Sequence, residues 1–518
     1  MPRDTLFNSP LTRRGLLKGS AAAGAAAWAG TGLLPIGSAW AQTPKKGGQL
    51  RIAYSTPVDT LDPMAAASST SQTLSGMLFD NLITFGPDQR TLIPQLALSW
   101  KPEKSGQEWV VELRQGVKFH HGKEFGADDV VATVMRSIDK ARAARAYRTF
   151  GPVADVKAEG PHTVRFVMEQ PFSDFPPSCC TRWSRILPAD KIDNLATDPV
   201  GTGPFVLAEH KQGISTSIKR NENYWDAGRP HLDSVVLLQV SESVAQQAAL
   251  RANSVDVVCT MGVETYLALK DVSGITAYSR PSGLYQVGFT LAQIDPFKDQ
   301  RVRLAFKHLI DRKALLQSAL LGQGVVGNDL PLRPDDPAVA GFPQHDQDLP
   351  KAKALLEAAG VKNLKLDIWT TSERPPSPRM ALAFKDGATK IGVDLTVRDI
   401  TYAEYTANVP RKQPLFTANW SEFFSNFQIF YLSYHSKGAY NYSGMETAPG
   451  LDAVIEDIIA NVDPVKQKEL VNKALTLIHD NSDRVIPYFL NYFAATRSAV
   501  KGYNPVEILD IRDIWLDA

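Results

Sequence analysis

The chain has 518 residues, too many for one hydrophobic core, so two or three domains of roughly 100 to 200 residues each are expected. Hydrophobic residues make up 44% of the chain and charged residues 21%, which is typical of a soluble globular protein and excludes a disordered or collagen-like chain. Lys and Arg number 56 against 55 Asp and Glu, so no strongly basic surface is available to bind nucleic acid or anionic lipid.

The N-terminal segment, residues 1–41, has the pattern of an export signal. Arg13 and Arg14 precede a weakly apolar run rich in Ala and Gly, and the small-residue pattern AWA ends at Ala41. This order is typical of a twin-arginine signal peptide that is cut after Ala41. A membrane anchor would need about 20 strongly apolar residues, and Gly, Ser and Thr dilute this run. No cysteine lies near the cut to carry a lipid, so we expect a mature protein free in the periplasm.

The mature chain alternates between strand and helix patterns. GGQLRIAY and EWVVELR alternate apolar and polar residues as strands do. Residues Ala127–Ile138 predict a helix with Asp128 and Asp129 in its first turn, where the helix dipole favours negative charge. Two more helices are predicted from Leu451 and from Pro464. This alternation predicts an α/β fold, and the lack of a low-complexity linker predicts domains joined by short, ordered crossings.

The cysteines and the paired histidines predict neither a disulfide framework nor a metal site. A disulfide between the neighbours Cys179 and Cys180 would be strained, so two free or buried thiols are predicted, and Cys259 is expected to pack within VDVVCTMG. His120 and His121 adjoin in FHHG, and their side chains would diverge on an extended segment. We therefore expect a turn beside a strand at this place rather than a shared metal.

No catalytic motif occurs with the spacing and the neighbouring elements that its chemistry requires. GQGVVG, residues 322–327, matches GxGxxG, but it follows a helical pattern instead of a strand, so its glycines are expected to end a helix and form a loop. Residues 116–123 resemble a phosphate loop, but the spacing is one too long and Glu124 stands where Ser or Thr must contact magnesium. GxSxG, HExxH and CxxC are absent. No catalytic residue, cofactor or bound metal is predicted.

Residues 419–444, NWSEFFSNFQIFYLSYHSKGAYNYSG, concentrate aromatic rings among Ser, Asn and Gly. Neither the strand period nor the helix period fits the whole stretch. The rings either pack in a core, because aromatic side chains bury large areas, or form a wall where rigid rings stack on a ligand. The residues alone leave both interpretations open. His435 lies inside the stretch and is a candidate for approaching a ligand.

Several long segments resemble the family 5 solute-binding proteins of ABC importers, which include dipeptide, oligopeptide, glutathione and nickel binders. The segments are GGQLRIAYSTPVDTLDP, LFDNLITFGPDQRTLIPQLALSWKPEKSGQEWVVELRQGVKFHHGKEFGADDV, VGTGPFVLAEHKQGISTSIKRNENYW, DQRVRLAFKHLIDRKALLQSALLGQG and DLPKAKALLEAAGV. They follow the family order over nearly all of the mature chain. The resemblance implies an α/β, two-lobed periplasmic binding protein fold of class II, with an extra subdomain in the first lobe.

The resemblance also implies the division of the chain. Lobe I is predicted at 42–285 plus 496–518, with the extra subdomain at about 95–195, and lobe II at 286–495. The family 5 domain is predicted at about 90–440. The crossings between the lobes are placed near RPSGLYQVGF and YFLNYFAATRS. A ligand enclosed in the cleft would hold the lobes together, and the closed pair would dock on the permease.

Two ligand contacts follow from similar dipeptide binders. A Trp-x-Gly-Asp segment there meets the ligand, and its aspartate pairs with the α-amine. The matching segment here is Trp420-Ser421-Glu422-Phe423, so Phe423 holds the acid position and a carboxylate stands one residue earlier. An Arg-Pro pair holds the ligand carboxylate in those binders, and Arg374 takes that place in TTSERPPSPR. Arginine suits the task because its planar fork donates two parallel bonds.

The predicted ligand-binding residues are therefore Arg374, Trp420, Glu422, Phe423, Phe424 and His435. The main hypothesis is a monomeric receptor for a small carboxylated solute, such as a modified peptide, an opine-like conjugate or an aromatic acid, with an ABC permease as its partner. One alternative is a metal-chelate receptor of the nickel type with His435 as a direct ligand. A more remote alternative is a secreted hydrolase, for which the sequence shows no paired nucleophile and base.

Overall fold

The structure, a computed structural model, describes residues 43–142, 145–420, 423–506 and 508–517. The signal peptide predicted for residues 1–41 lies outside these ranges. The strands are β1 (Gln49–Tyr54), β2 (Ile83–Phe85), β3 (Leu92–Pro94), β4 (Ala97–Glu103), β5 (Glu108–Leu113), β6 (Val153–Ala158), β7 (Thr163–Met168), β8 (Phe205–Lys211), β9 (Ser215–Arg220), β10 (Ser234–Gln239), β11 (Val257–Val258), β12 (Ile275–Thr290), β13 (Gly324–Val326), β14 (Lys365–Thr370), β15 (Asp394–Asp399), β16 (Leu415–Trp420), β17 (Arg484–Arg497), β18 (Val500–Lys501) and β19 (Trp515–Leu516).

The helices are α1 (Ser69–Leu78), α2 (Ala127–Ile138), α3 (Phe175–Ser178), α4 (Ser243–Arg251), α5 (Val263–Leu269), α6 (Gln300–Lys307), α7 (Arg312–Leu320), α8 (Leu349–Ala358), α9 (Ser377–Lys390), α10 (Tyr402–Asn408), α11 (Leu432–Tyr434), α12 (Leu451–Ala460) and α13 (Pro464–Asn481). Short 3₁₀ turns occupy Lys104–Gly106 and Pro337–Val339, and a π-helical turn occupies Phe427–Tyr431. In the ranges that the structure describes, no helix combines the length and apolar character needed to cross a bilayer.

Local sequence signals fix several helix ends. Helix α2 carries Asp128 and Asp129 in its first turn, as predicted. Helix α13 begins after Asp463, whose carboxylate accepts the N–H groups of Val465 and Lys466 at 2.9 and 3.3 Å. These N–H groups have no partner within the helix, so the cap stabilises its first turn. These two predicted helices are confirmed, and so is the one predicted from Leu451, which is α12.

The GxGxxG match ends a helix, as predicted, and does not connect a strand to the start of a helix. Helix α7 stops at Leu320, and Leu321 and Gly322 take left-handed backbone angles, φ 51° and 77°. The rest of the match differs from the expected loop, because Gly324–Val326 forms β13 and pairs antiparallel with β17. An added side-chain carbon at Gly324 would lie 2.6 Å from the Phe489 carbonyl oxygen, so the glycine permits this close pairing.

Two long strands organise the main sheet. Its order is β15-β14-β16-β12-β17-β11-β1-β10-β9-β8, with β13 paired to β17. Strands β12 and β17 lie in the middle and contain the two segments predicted as crossings. The first half of β12 pairs with the end of β17 beside β11, whereas Tyr285–Thr290 pairs with β16 on its other edge. The β12–β17 register is interrupted between Pro281 and Tyr285.

A second sheet and several cores complete the fold. Strands β4, β5, β7 and β6 form a four-stranded antiparallel sheet, which lies inside the range predicted for the extra subdomain. Trp109, Val111 and Leu113 of β5 alternate into its buried face, as predicted. Their core continues to the buried faces of α12 and α13. Separate cores lie beneath β1 and β10 and around α6, α9 and β14.

The predicted free thiols and the predicted turn with diverging histidine side chains are confirmed. Cys179, Cys180 and Cys259 are free thiols, and Cys259 is buried against the sheet. His120 and His121 lie in a turn beside β5 and diverge: the His120 ring contacts the Gly203 carbonyl, whereas His121 contacts Asp190. No group of three or more His, Cys, Asp or Glu side chains within the described ranges is arranged to hold a metal.

We expect His120 to make the protein less stable as the pH falls from about 6.5 to about 4. The Gly201 N–H donates to Nδ1 at 3.3 Å and Nε2 donates to the Gly203 carbonyl at 3.1 Å, which fixes a neutral ring. Burial lowers the His120 pKa to about 4. Between these pH values His120 is protonated in the unfolded chain but neutral in the folded protein. Protonation therefore favours the unfolded chain, and the free energy of unfolding decreases by up to about 3 kcal/mol. Urea unfolding at pH 7 and pH 4.5 should show a smaller decrease for His120→Gln; equal decreases would contradict the prediction.

Candidate functional site

The candidate site lies where β16 ends and the aromatic stretch leaves the sheet. Residues from Phe424 onward contact elements from the first part of the sequence. The Phe424 ring lies 5.5 Å from the Phe85 ring of β2. The Phe427 N–H donates to the buried Asp174 carboxylate, and the two residues are 253 positions apart. The aromatic stretch therefore connects the β16 side of the sheet to the region around β2 and the four-stranded sheet.

Trp420 belongs to an aromatic cluster on one face of the sheet. It is 8% exposed and pairs in register with Tyr285 of β12. Its ring centroid lies 5.6 Å from those of Phe289 and Tyr442 and 5.8 Å from that of Tyr440. Its Nε1 has no hydrogen-bond partner in the part of the chain that the structure describes. The indole ring therefore packs against neighbouring rings, and these contacts do not involve its N–H as a hydrogen-bond donor.

Phe423 and Phe424 are more accessible than Trp420. Both are half-buried. Phe423 stacks on Tyr440, with centroids 5.9 Å apart and an interplanar angle of 16°, and Tyr440 is itself exposed. Glu422, predicted to supply a carboxylate here, lies outside the described residues. Phe423 therefore packs at the edge of the Trp420 cluster through Tyr440, whereas Phe424 packs against Phe85.

Arg374 lies close to this strand end. Its side chain is exposed, Nη2 donates to the Tyr402 hydroxyl at 2.8 Å, and its guanidinium carbon lies 4.4 Å from the Tyr402 ring centroid. The following Pro375 carbonyl accepts the Asn419 side-chain N–H at 3.1 Å. Because Asn419 precedes Trp420 in β16, the structure brings the Arg374 loop and the aromatic cluster to the same strand end.

His435 is not brought to the site. It is buried, with a stacked Tyr431 ring 4.4 Å away. The Lys437 N–H donates to Nδ1 at 3.1 Å, so the proton sits on Nε2, which donates to Glu456 at 3.2 Å. Both ring nitrogens are engaged, and neither offers a free lone pair to a metal. This geometry does not favour the interpretation of His435 as a direct metal ligand.

Two buried polar residues were missed from the sequence. Gln286, in the middle of β12, donates to the Ser377 hydroxyl at 3.0 Å and the Ala418 carbonyl at 2.8 Å, which ties α9 to β16. A polar side chain in the apolar strand LYQVGF was the available signal. Asp174 gave no signal, because only the fold brings Phe427 to it. Burial raises the pKa of Asp174 to about 6, although the Phe427 N–H opposes this shift.

The chain is similar to known solute receptors in sequence. The profile of the bacterial extracellular solute-binding proteins, family 5 Middle, matches residues 91–442. The dipeptide-binding protein of Escherichia coli K12 is 26% identical over 492 residues, which cover 85% of this chain and 89% of that protein.

Solved structures show the same fold. DppA from Helicobacter pylori in complex with the peptide STSA has a TM-score of 0.74 at 24% identity and covers 92% of this chain and 99% of its own. NikZ from Campylobacter jejuni in complex with Ni(L-His) has a TM-score of 0.71 at 20% identity and covers 88% and 95%. The predicted two-lobed α/β fold of periplasmic binding proteins is confirmed. Because the profile match spans more than half of the sequence, the chain belongs to the bacterial extracellular solute-binding proteins of family 5.

Proposed function

We propose that the mature chain, residues 42–518, is the periplasmic receptor of an ABC importer and binds a small peptide-like or otherwise carboxylated solute. Its relatives are exported solute-binding proteins, and that of Escherichia coli binds dipeptides. The observation that carries the proposal is the aromatic stretch that follows β16, which places Phe424 against Phe85 of β2 and Phe427 against Asp174. Export follows twin-arginine recognition and cleavage after Ala41.

Closure of two lobes captures the solute in this proposal. Lobe I takes residues 42–285 and 496–518, and lobe II takes residues 286–495. Strands β12 and β17 connect the lobes, and the register break between Pro281 and Tyr285 supplies the hinge. A solute that contacts both lobes stabilises the closed arrangement over the open one, which is what the permease recognises. The receptor acts as a monomer and performs no turnover.

Arg374 and the rings beside it recognise the solute. The exposed guanidinium of Arg374 is free to reorient from Tyr402 toward a carboxylate, while Trp420, Phe423 and Phe424 contact apolar parts. Glu422 is the remaining candidate contact. Phe423 stands where related dipeptide binders carry the aspartate for the α-amine, so this site does not depend on a free amine. A metal chelate remains a less favoured ligand, because His435 is engaged on both nitrogens.

A solute screen followed by small-angle scattering tests the proposal. The mature protein would be screened by thermal shift against peptides, opines, aromatic acids and metal chelates, since a ligand at 100 times its dissociation constant adds about 2.7 kcal/mol of stability. The solute that stabilises the protein should also reduce its radius of gyration. Unchanged dimensions at saturation would reject lobe closure, and consumption of the solute would identify an enzyme instead.

We expect Arg374→Ala to weaken binding of a carboxylated solute by about 2–5 kcal/mol, because its carboxylate would be left buried without its charged partner. Arg374→Lys should restore only part of the affinity, since a point charge cannot form the forked pair. Calorimetry with the solute from the screen measures both variants. Arg379, an exposed arginine in α9, provides the matched control, and Arg379→Ala should bind as wild type. Full affinity in Arg374→Ala would remove Arg374 from the site.

A further inference from the structure

Arg484 is a buried charge at the start of β17. Its side chain is 1% exposed. The guanidinium carbon lies 4.3 Å from the Tyr434 ring centroid and 5.1 Å from the centroids of Phe289 and Trp420. Aromatic faces attract a cation, but they accept no strong hydrogen bonds. The rings therefore hold the guanidinium in place without satisfying its donors.

Most of the Arg484 donors lack an acceptor. Among the described residues, Nη2 is the one guanidinium nitrogen with acceptors, the carbonyl oxygens of Ser433 and Tyr440. Nε and Nη1 are buried and have no hydrogen-bond partner among the described residues. The nearest carboxylate, Asp483, lies 3.9 Å from Nε, and its other oxygen accepts the Ser443 hydroxyl. Burying unpaired donors of a charged group is costly, so a residue kept in this state points to an acceptor that the described residues do not supply and that a bound solute can supply.

The neighbours of Arg484 also lack acceptors. Trp420 Nε1, a donor only, and the Tyr434 hydroxyl are buried and unpaired among the described residues. Several donors thus converge on one place. A group that only accepts hydrogen bonds and carries negative charge, such as a carboxylate, fits this surrounding best.

This donor cluster is continuous with the proposed site. Trp420 ends β16 and lies over Arg484, whereas the preceding Asn419 points to the other face of the strand and binds the Pro375 carbonyl beside Arg374. Arg374 and Arg484 therefore both lie beside the end of β16, and the Arg374 side chain reaches Tyr402 of α10. Tyr440, whose carbonyl contacts Arg484, is 40% exposed and stacks on Phe423, so these two rings lie between the cluster and solvent.

We propose that Arg484 is a second anion-binding residue of the site, and that the solute carries two acidic groups joined by an apolar or aromatic part. One acidic group meets Arg374 at the exposed side of the strand end, and the other meets Arg484 after Tyr440 and Phe423 turn aside. The aromatic cluster contacts the part between them. The inference rests on the proposed function, because it uses the same strand end and narrows the solute class.

Calorimetry with two small probes tests the second anion site. Phenylsuccinate carries two carboxylates and 3-phenylpropionate carries one, and both carry a phenyl ring. The wild-type mature protein should bind phenylsuccinate at least tenfold more tightly. Arg484→Met should remove this preference, with phenylsuccinate affinity decreasing by about 30-fold, the lower end expected for unpairing a buried charge. Arg484→Lys should keep part of the preference, because it keeps the charge but not the donor geometry.

The ratio of the affinities for phenylsuccinate and 3-phenylpropionate distinguishes a binding role of Arg484 from a purely structural role. A purely structural Arg484 would lower the melting temperature of Arg484→Met and leave the ratio unchanged, which would overturn the inference. We expect instead that Arg484→Met melts no earlier than wild type, since an apolar side chain replaces a buried, poorly paired charge. Arg411→Met is the matched control, because Arg411 lies 5.7 Å from the Tyr442 ring of the same cluster and is bonded to the Ala439 carbonyl. Its ratio should equal that of wild type.

The outcomes also separate this inference from the proposed function. A wild-type protein that shows no preference between the probes, yet contracts with another solute, overturns the second anion site and keeps the receptor function. A protein that binds phenylsuccinate through Arg484 without contracting keeps the anion site and rejects lobe closure. Binding of neither probe by the wild type overturns the inference.

Discussion

Asp329→Ala is expected to lower the free energy of unfolding by about 3–5 kcal/mol, because it leaves a buried charge without its partner. The Asp329 carboxylate is fully buried and accepts Nη2 of Arg312 at 2.9 Å, Nδ1 of His345 at 2.8 Å and the Ile486 N–H at 2.8 Å. The remaining Arg312 bonds go to backbone carbonyls, so no second carboxylate would replace Asp329. Urea unfolding at pH 7 measures the difference.

Two further variants separate the causes. Asp329 has a left-handed backbone, φ 59°, which Asn tolerates better than Ala. Asp329→Asn therefore tests the lost charge without added backbone strain and should still destabilise the fold. The exposed pair of Asp386 and Lys390, 2.6 Å apart on α9, is the matched control. Asp386→Ala should change stability by less than about 0.5 kcal/mol, and an equally small effect of Asp329→Ala would refute the buried-pair argument.

The sequence predicted the elements whose signals are local. Helix α2 and helix α13 were found because acidic or capping residues and an apolar period of 3.6 lie within a few positions of one another. Strand β5 was found from its alternation. The end of α7 at Leu320 was predicted, but β13 was not. Its pairing with Leu490 and Phe489 joins positions more than 160 residues apart, and no local pattern specifies such a partner.

The candidate site was predictable only in part, for the same reason. The resemblance to solute-binding proteins located Arg374 and Trp420, and the structure places both at the end of β16. It does not bring His435 there, since neighbouring Lys437 and distant Glu456 engage its ring. Asp174 and Arg484 were missed. A charged residue opening the apolar strand RVIPYFL was visible in the sequence, but the rings that surround it come from three separate segments.

The aromatic stretch contains two kinds of ring, and Phe430→Ala is expected to show this by destabilising the fold by about 3–5 kcal/mol without changing solute affinity. Phe430 is fully buried in the core shared with α12 and α13. Trp420 is also largely buried, so its alanine variant would mix packing and binding losses. Trp420→Phe keeps most of the packing and removes Nε1; it should weaken solute binding with a small stability change. Calorimetry and urea unfolding of both variants test the division, and normal binding by Trp420→Phe would mean that Trp420 Nε1 is not a solute contact.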